Sequence, residues 1–263
     1  MSDSFTNLAE AANSVIADPV PEIATPHSTS VQLIRGLLNP ASGEWETTAT
    51  VRELNGEDEE FLASLDSKEG LSYSEYMIHM LQRAVVNLGT QSVQNNPELV
   101  NELILGDRDL LFLGVLRVTY GNMKEVQLTC GNCQQDNDVK IDLLEDFKVE
   151  DAGSDFTKPI SVKLKDGSTV SFNMPTTGDS QYAFSKAKTS AEQTTLIISR
   201  CLMGTMDRES RESWAKKLGL ADRRAVVKAI TAVQPGPKME EVKTQCAHCD
   251  HELIVVLDWV SLL

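Results

Sequence analysis

The sequence contains no run of about 18 apolar residues, the minimum for a membrane-spanning helix. Met1 to Leu8 include no basic stretch followed by an apolar one, so we expect no secretory signal peptide. Basic residues are also scarce, with 24 Lys and Arg against 39 Asp and Glu and a formal net charge of -15. Because binding to phosphates requires clustered Lys and Arg, we expect no membrane span and no primary role in binding nucleic acid.

Sequence motifs of common enzyme classes are missing as well. The chain has no Walker A loop, no G-x-G-x-x-G, no H-E-x-x-H and no G-x-S-x-G. Of the histidines, His27 lies in a polar N-terminal segment and His79 on a predicted helix without a paired motif. The sequence therefore predicts a protein that is not an enzyme.

Acidic charge is concentrated in the first half of the chain. Residues 1–120 hold 18 acidic and 6 basic side chains, whereas residues 121–263 hold 21 and 18. One interpretation is a solvated surface, and the other is a docking face for a basic partner, since complementary fields steer association. The most basic stretch, Arg208 to Lys228, is interleaved with carboxylates and is interpreted as a solvated helical face.

The chain divides into three predicted regions. Residues 1–30 are rich in small polar residues and proline and are predicted to form an extended arm that cannot order itself alone, so we expect it to dock on a neighbouring subunit. Residues 31–122 are predicted to form a β-hairpin followed by a helical bundle. Residues 123–263 are predicted to form a cysteine-containing β region with an inserted hairpin and helices, the whole forming one compact α+β body with 31–122.

Local signals predict the elements of residues 31–122. Strands at Val31–Leu38 and Trp45–Leu54 flank a turn, and an acidic first turn predicts a helix to about Leu65. A capping box at Ser72 and helical spacing predict a helix that ends at Gly89. Two further helices are predicted, one opened by Asn96-Pro97-Glu98 and one capped by Gly106-Asp107 and ended by Gly121-Asn122, with Leu110–Val118 buried.

In residues 123–263, strands are predicted on both sides of each cysteine pair. Between the pairs, Asp166-Gly167 predicts a hairpin of Ile160–Leu164 and Thr169–Met174. Three helices are predicted to follow, at about Ser180–Met203, Glu209–Leu218 and Asp222–Val233.

Four of the five cysteines form two C-x-x-C pairs, Cys130-Gly-Asn-Cys133 and Cys246-Ala-His-Cys249, separated by 112 residues. The flanks also match, because Glu-Val precedes each pair and an aspartate follows each pair at the same interval. The chain therefore contains a short internal duplication of the form strand, knuckle, strand.

This arrangement predicts a structural zinc site. Each C-x-x-C turn offers two thiolates, and two such turns complete a tetrahedral four-cysteine site without an open position for catalysis. Cys130, Cys133, Cys246 and Cys249 are the predicted ligands, so the two knuckles must meet in space. Redox motifs are expected at strand–helix junctions and disulfides in oxidising compartments, and both alternatives fit less well.

The remaining candidates have plainer interpretations. His248 and His251 flank the second knuckle and are predicted to face solvent, with replacement of a cysteine ligand as the alternative. Cys201 lies in an apolar helix and is predicted to be a small core residue. The three tryptophans are predicted to anchor the core or an interface.

Six segments follow one another along the chain: Val51–Glu60, Leu103–Leu113, Arg117–Gly121, the Cys130 knuckle with Val139–Leu143, Pro175–Asp179 and the Cys246 knuckle. In this order they resemble the T-even-type phage baseplate family, whose members are baseplate hub subunits or hub assembly chaperones, and the resemblance covers about residues 45–260. The second knuckle departs from the family in having Ala247 and Asp250 where Pro and Gly are common.

The resemblance implies a structural component of the phage tail baseplate hub, located in the virion, assembled in the host cytoplasm and contacting other baseplate and tail proteins. Two alternatives remain open at this point. One is a transient assembly chaperone absent from the mature virion, and the other is a zinc-ribbon adaptor for nucleic acid or transcription. An enzyme is a third and more distant alternative.

Overall fold

The computed structural model describes residues 27–66, 73–147, 149–150, 155–237 and 241–256. The described helices are α1 (Gly56–Asp66), α2 (Tyr73–Ala84), α3 (Leu99–Glu102), α4 (Leu105–Tyr120), α5 (Thr177–Lys186), α6 (Ser190–Cys201), α7 (Arg208–Lys217) and α8 (Leu220–Ala232). The described strands are β1 (Ser28–Leu38), β2 (Trp45–Arg52), β3 (Val85–Leu88), β4 (Gln91–Ser92), β5 (Met123–Thr129), β6 (Asp136–Asp142), β7 (Val149–Glu150), β8 (Ile160–Lys163), β9 (Thr169–Phe172), β10 (Gly236–Pro237), β11 (Glu241–Gln245) and β12 (Glu252–Val256).

This architecture confirms the predicted α+β class. Three predicted features lie outside the described residues, namely residues 1–26 of the arm, the proposed cap Ser72 and the anchor Trp259. The predicted domain boundaries stay predictions. In the part of the chain that the structure describes, no helix has the length and apolar character needed to cross a bilayer.

The first hydrophobic core lies between a four-stranded antiparallel sheet and helix α4. The strand order is β1-β2-β3-β4, and the predicted hairpin is present, with Ser28 opposite Arg52 and Leu38 opposite Trp45. Helix α4 is apolar on nearly all sides because its buried residues, Phe112 and Val115 among them, are enclosed by the sheet, by α2 and by the strand β6. The prediction of a buried central helix at Leu110–Val118 is confirmed.

The prediction that the helix beginning at Tyr73 continues to Leu88 is wrong. Helix α2 ends at Ala84, and Val85–Leu88 forms strand β3, which pairs with β2 through Leu88 opposite Ala49. Two consecutive β-branched valines favour the extended conformation, and pairing with β2 satisfies the backbone groups that a helix would otherwise use. Gly89, with φ +57°, then turns the chain and donates its N–H to the Thr48 carbonyl.

The boundaries predicted around Gly106 also differ from those observed. Helix α3 is only four residues long, and α4 begins at Leu105, so Gly106 and Asp107 lie in its first turn instead of separating two helices. The buried Asp107 carboxylate accepts the backbone N–H groups of Ile34 at 2.6 Å and Gly36 at 2.8 Å, where the β1–β2 register shifts. Its side chain therefore stabilises an irregular strand and does not cap a helix.

A second hydrophobic core lies under the β8–β9 hairpin. The predicted turn is present, with Gly167 at φ +88°, and the hairpin packs against α6, α7 and α8. The helix predicted from Ser180 to Met203 is instead two helices, α5 and α6. Thr189 interrupts it, because its side chain accepts the Glu192 N–H at 3.2 Å and caps α6.

The two cores meet at the first turn of α4. The Leu103 carbonyl accepts the backbone N–H of Thr177 at 2.8 Å and its hydroxyl at 3.1 Å. On the opposite side, Gly106 lies against Pro235 and Gly236, which follow α8. A Cβ at residue 106 would overlap the Pro235 carbonyl oxygen and lie 2.9 Å from the Gly236 Cα, so the approach requires glycine.

We therefore expect Gly106→Ala to separate the two cores. Backbone atoms form the opposing wall and cannot rotate away, so the free energy of unfolding in urea should fall by about 1–3 kcal/mol. Gly56→Ala is the matched control, since nothing lies within 4 Å of the added Cβ and Gly56 opens a helix. Equal stability of the two variants would show that the contact at Gly106 contributes nothing.

Candidate metal centre

Two ribbons of the same register carry the knuckles. In the first, β5 pairs with β6 from Thr129 opposite Asp136 to Met123 opposite Asp142. In the second, β11 pairs with β12 from Gln245 opposite Glu252 to Glu241 opposite Val256, so each pairing has its counterpart 116 residues earlier in the first ribbon. The internal duplication predicted from the flanking residues is confirmed at the level of backbone pairing.

Both knuckles close through the same backbone hydrogen bonds. The backbone N–H of Cys130 and that of Cys246 each donate to the carbonyl five residues later, at 2.8 and 2.9 Å. The backbone carbonyl of each of these cysteines accepts the N–H four residues later, at 2.9 and 3.0 Å. The residues at that fourth position, Gln134 and Asp250, have φ of 57° and 56°. Each turn presents its two cysteine side chains on one side of the loop.

The four sulfur atoms meet in one cluster. The Sγ atoms of Cys130, Cys133, Cys246 and Cys249 all lie within 4.8 Å of one another, and Cys130–Cys249 and Cys133–Cys246 are 3.8 and 3.6 Å apart. Zn–S bonds of about 2.3 Å give a tetrahedron with edges of about 3.8 Å, which matches these two distances. All four cysteines are free thiols. The prediction that the knuckles meet in space is confirmed.

Hydrogen bonds favour the thiolate at two of the four cysteines of this cluster, Cys246 and Cys249. Desolvation by burial raises the pKa of Cys246, but the N–H of His248 and the Cys133 thiol donate to its sulfur and bring the pKa to about 6. The Asn132 side-chain amide donates to Cys249 at 3.5 Å and lowers the pKa of that thiol. At Cys133 the Gln135 backbone lowers the pKa, but desolvation and hydrogen bonds with the other three cysteines raise it to about 12. Since the thiolate is the form that ligates metal, Cys246 and Cys249 are the sulfurs best prepared for a soft divalent cation.

Comparison with known families now decides the identity of the chain at the family level. The model of the T4 bacteriophage base plate protein family matches residues 44–262, which include both knuckles. The chain belongs to this base plate family. The match confirms the resemblance of the sequence to T-even-type baseplate proteins. A search of curated proteins found no match to the chain, and a search of solved structures found none either.

One contributor to the base plate protein's cysteine cluster was missed from the sequence. Asn137, which is 7% exposed, accepts the Ala247 N–H at 2.9 Å and donates to the Gln135 carbonyl at 3.0 Å, so it joins the two knuckles directly. The alternation of residues in β6 could have indicated its burial, because Asn137 shares the buried face of that strand with Val139 and Ile141.

The other cysteine and the two histidines of this base plate protein lie where predicted. His248 and His251 are exposed beside the second knuckle, and among the residues that the structure describes the cluster consists of the four cysteines. Cys201 is buried in the second core, where desolvation raises its pKa. It behaves as a core residue and takes no part in the cluster.

The left-handed residues of the knuckles lead to a stability prediction. A side chain at φ near +57° is strained, whereas glycine adopts this conformation freely. We expect Gln134→Gly and Asp250→Gly each to raise the free energy of unfolding by about 0.5–1 kcal/mol. Thermal unfolding with metal present is the measurement, and Gln135→Gly is the control expected to destabilise. A loss of stability in both left-handed variants would contradict the prediction.

Proposed function

We propose that this chain is a non-enzymatic structural subunit of the phage tail baseplate hub, held together by a zinc ion. The observation that carries the proposal is the meeting of two duplicated knuckles from opposite ends of a 112-residue insertion, in a chain of the base plate family. Such a site would cross-link the two ends of the insertion, which suits a structural subunit.

The donor set fits zinc in a structural role. Cys130, Cys133, Cys246 and Cys249 would hold the ion, and four thiolates complete a tetrahedron with no position left for water or substrate. When bound, the ion supplies a cross-link and no reaction chemistry. The chain's own residues orient the sulfurs, through the knuckle N–H groups, Asn132 and Asn137.

Two buried carboxylates, Asp58 and Asp107, support a structural role. Asp58 is bound by two arginines, and Asp107 by backbone N–H groups, so both are engaged in the fold. Carboxylates held in this way stabilise the fold and are not presented to a substrate.

The side chains beside the first ribbon support a protein-binding role over nucleic-acid binding. On the exposed face of β5 and β6, Lys140 lies 3.6 Å from Glu125, and Asp136 and Asp138 are also exposed. This surface is mixed to acidic, whereas a zinc-ribbon adaptor for nucleic acid needs clustered Lys and Arg. The partners we propose are other baseplate and tail proteins, with assembly in the host cytoplasm and with the N-terminal arm docked on a neighbouring subunit.

Mass spectrometry of purified virions tests the proposed function. A hub subunit should be present in intact particles at a constant ratio to the other tail proteins. It should also stay with the tail after mild dissociation. Consistent absence from virions, together with presence in infected-cell extracts, would contradict the hub assignment and support the transient assembly chaperone instead.

A further inference from the structure

Three of the chain's ten arginines line one cavity between the end of α6 and the start of α7. This arginine cavity has a volume of about 350 Å³, and its described lining consists of Ser199, Arg200, Met206, Arg208 and Arg211. Arg200 lies in the last turn of α6, whereas the other two arginines lie on α7, three residues apart. The interpretation of Arg208–Lys228 as a solvated helical face does not account for this convergence of basic side chains from two helices.

Tyr182 of α5 holds two of these guanidinium groups close together. The guanidinium carbon of Arg208 lies 4.2 Å from the centroid of the Tyr182 ring, and that of Arg200 lies 4.8 Å from it. The two cations are therefore less than about 10 Å apart. The ring attracts both cations through its quadrupole but does not neutralise them, so an anion between them would interact favourably with both charges.

The neighbouring carboxylates leave donors of both groups unused. Arg200 donates through Nε to Asp179 at 2.6 Å, and Arg208 donates through Nε to Glu212 at 3.4 Å. Asp179 is shared, because it also accepts the N–H of Thr176 at 3.1 Å. Within the described residues, the hydrogen bonds of these two arginines use Nε alone, so their terminal nitrogens can donate to a ligand.

Arg211 supplies a fixed charge without a counter-ion. Its Nε donates to the Met206 carbonyl at 2.9 Å, and a terminal nitrogen donates to the Gly204 carbonyl at 2.7 Å, so this half-buried side chain is held in place. Both acceptors are neutral, and in the part of the chain that the structure describes Arg211 forms no ion pair. On a chain with a net charge of -15, this concentration of positive charge favours an anionic ligand.

The surroundings of the arginine cavity favour a carboxylate over a nucleic acid. Guanidinium groups bind the paired oxygens of carboxylates and phosphates alike. However, the exposed Asp207 and Glu209 flank Arg208 in the chain and would repel the successive phosphates of a nucleic acid. Met206, which is 40% exposed, adds an apolar wall that suits the methylene groups of a glutamate side chain.

We propose that the arginine cavity binds glutamate side chains of an acidic segment on a partner protein. In this contact Arg200 and Arg208 donate to the carboxylate through their terminal nitrogens, and the charge of Arg211 strengthens the attraction. Met206 contacts the methylene groups. The proposal rests on the proposed structural role, because the partner is one of the baseplate or tail proteins, and it specifies the chemistry of that partner's surface.

Titration of the full chain with a defined acidic peptide tests the proposal. The probe is an acetylated and amidated peptide of three glutamates, added to ¹⁵N-labelled protein at low ionic strength. We expect the Nε–Hε resonances of Arg200, Arg208 and Arg211 to shift until they saturate, and binding to weaken as salt is added. A peptide of three glutamines is the control and should leave these resonances unchanged.

Variants separate the arginine cavity from a general effect of charge. Arg208→Gln should weaken binding of the glutamate peptide at least about fivefold, because it removes one charge and one set of donors. Arg208→Lys keeps the charge but loses the planar fork, so it should also weaken binding, by about twofold or more. Arg224→Gln is the matched control, since it removes an equally exposed arginine outside the cavity, and it should change the affinity less than about twofold.

Equal weakening by Arg208→Gln and Arg224→Gln would overturn the proposal, as would the absence of a saturable shift or shifts confined to other arginines. A thymidine tetranucleotide, which carries the same three negative charges, and inorganic phosphate are titrated in parallel. Tighter binding of either than of the glutamate peptide would overturn the assignment to a carboxylate. The purified chain and synthetic probes are used throughout, so absence of the protein from virions would leave this result intact.

Discussion

Replacing Cys130 with serine should remove the bound metal and lower the melting temperature sharply. Serine leaves three thiolates and a hydroxyl that ligates zinc poorly, so metal content should fall from one ion per chain towards zero. Metal-coupled folding of such sites contributes on the order of 10 kcal/mol in small zinc-binding peptides. Even half of that amount would lower the melting temperature of a chain of this size by about 10–20 °C.

The loss of structure should be local at first. The described part of β11 and β12 pairs only within its own two-stranded ribbon, and an isolated two-stranded ribbon is marginally stable in water. The knuckle cluster, with Leu253, is what attaches this ribbon to β5 and β6. Hydrogen exchange should therefore speed up in residues 241–256 well before it does in the β1–β2 pair, which has its own hydrophobic core.

The fifth cysteine provides the control for this experiment. Cys201→Ala removes a buried thiol from the second core, so it should cost some stability and leave the metal content unchanged. Elemental analysis by inductively coupled plasma mass spectrometry, performed beside calorimetry, separates the two effects. Metal content that is unchanged in Cys130→Ser and in Cys246→Ser would refute the proposed site.

The cysteine cluster was predictable because its signal is local and repeated. Two residues between paired cysteines fix a tight turn, and the matched flanks at Glu125 and Glu241 place that turn at the tip of a ribbon each time. A single pair would have left the partner ligands unknown. The second pair, 112 residues away, required the chain to return to the same place.

The errors arose where tertiary contacts outweighed local spacing. Met80, Leu81 and Val85 recur at helical intervals, yet Val85 belongs to a strand because β2 offers an unpaired edge. A periodic pattern cannot distinguish a helix that continues from one that ends against a sheet. Asp107 likewise follows a glycine, as a helix cap can, but its carboxylate oxygens accept backbone N–H groups of the irregular strand β1, 71–73 residues away. Such pairings are visible only once the fold is known.

The second large effect is expected at Asp58, a fully buried carboxylate near the start of α1. Arg52 contacts it through both terminal nitrogens, at 2.5 and 3.0 Å, and Arg83 contacts it at 2.6 Å. Asp58→Asn would leave two arginines facing a neutral amide, and breaking a buried ion pair costs about 3–5 kcal/mol. We expect a loss near the lower end of that range at neutral pH, because both arginines are partly exposed.

The pH dependence of this loss identifies its cause. Burial would raise the pKa of Asp58, but hydrogen bonds from Arg52, the Asn55 N–H and Arg83 bring it from 3.8 down to about 2. A carboxylate with a lowered pKa stabilises the fold above its unfolded pKa and ceases to do so as the pH falls through the folded value. The stability difference between wild type and Asp58→Asn should therefore narrow between about pH 4 and pH 2.

The exposed Glu57, one residue earlier, is the control, and Glu57→Gln should change stability by no more than about 0.5 kcal/mol. A difference for Asp58→Asn that stays constant across this range would instead assign the loss to packing, because only an ionised carboxylate loses its contribution on protonation.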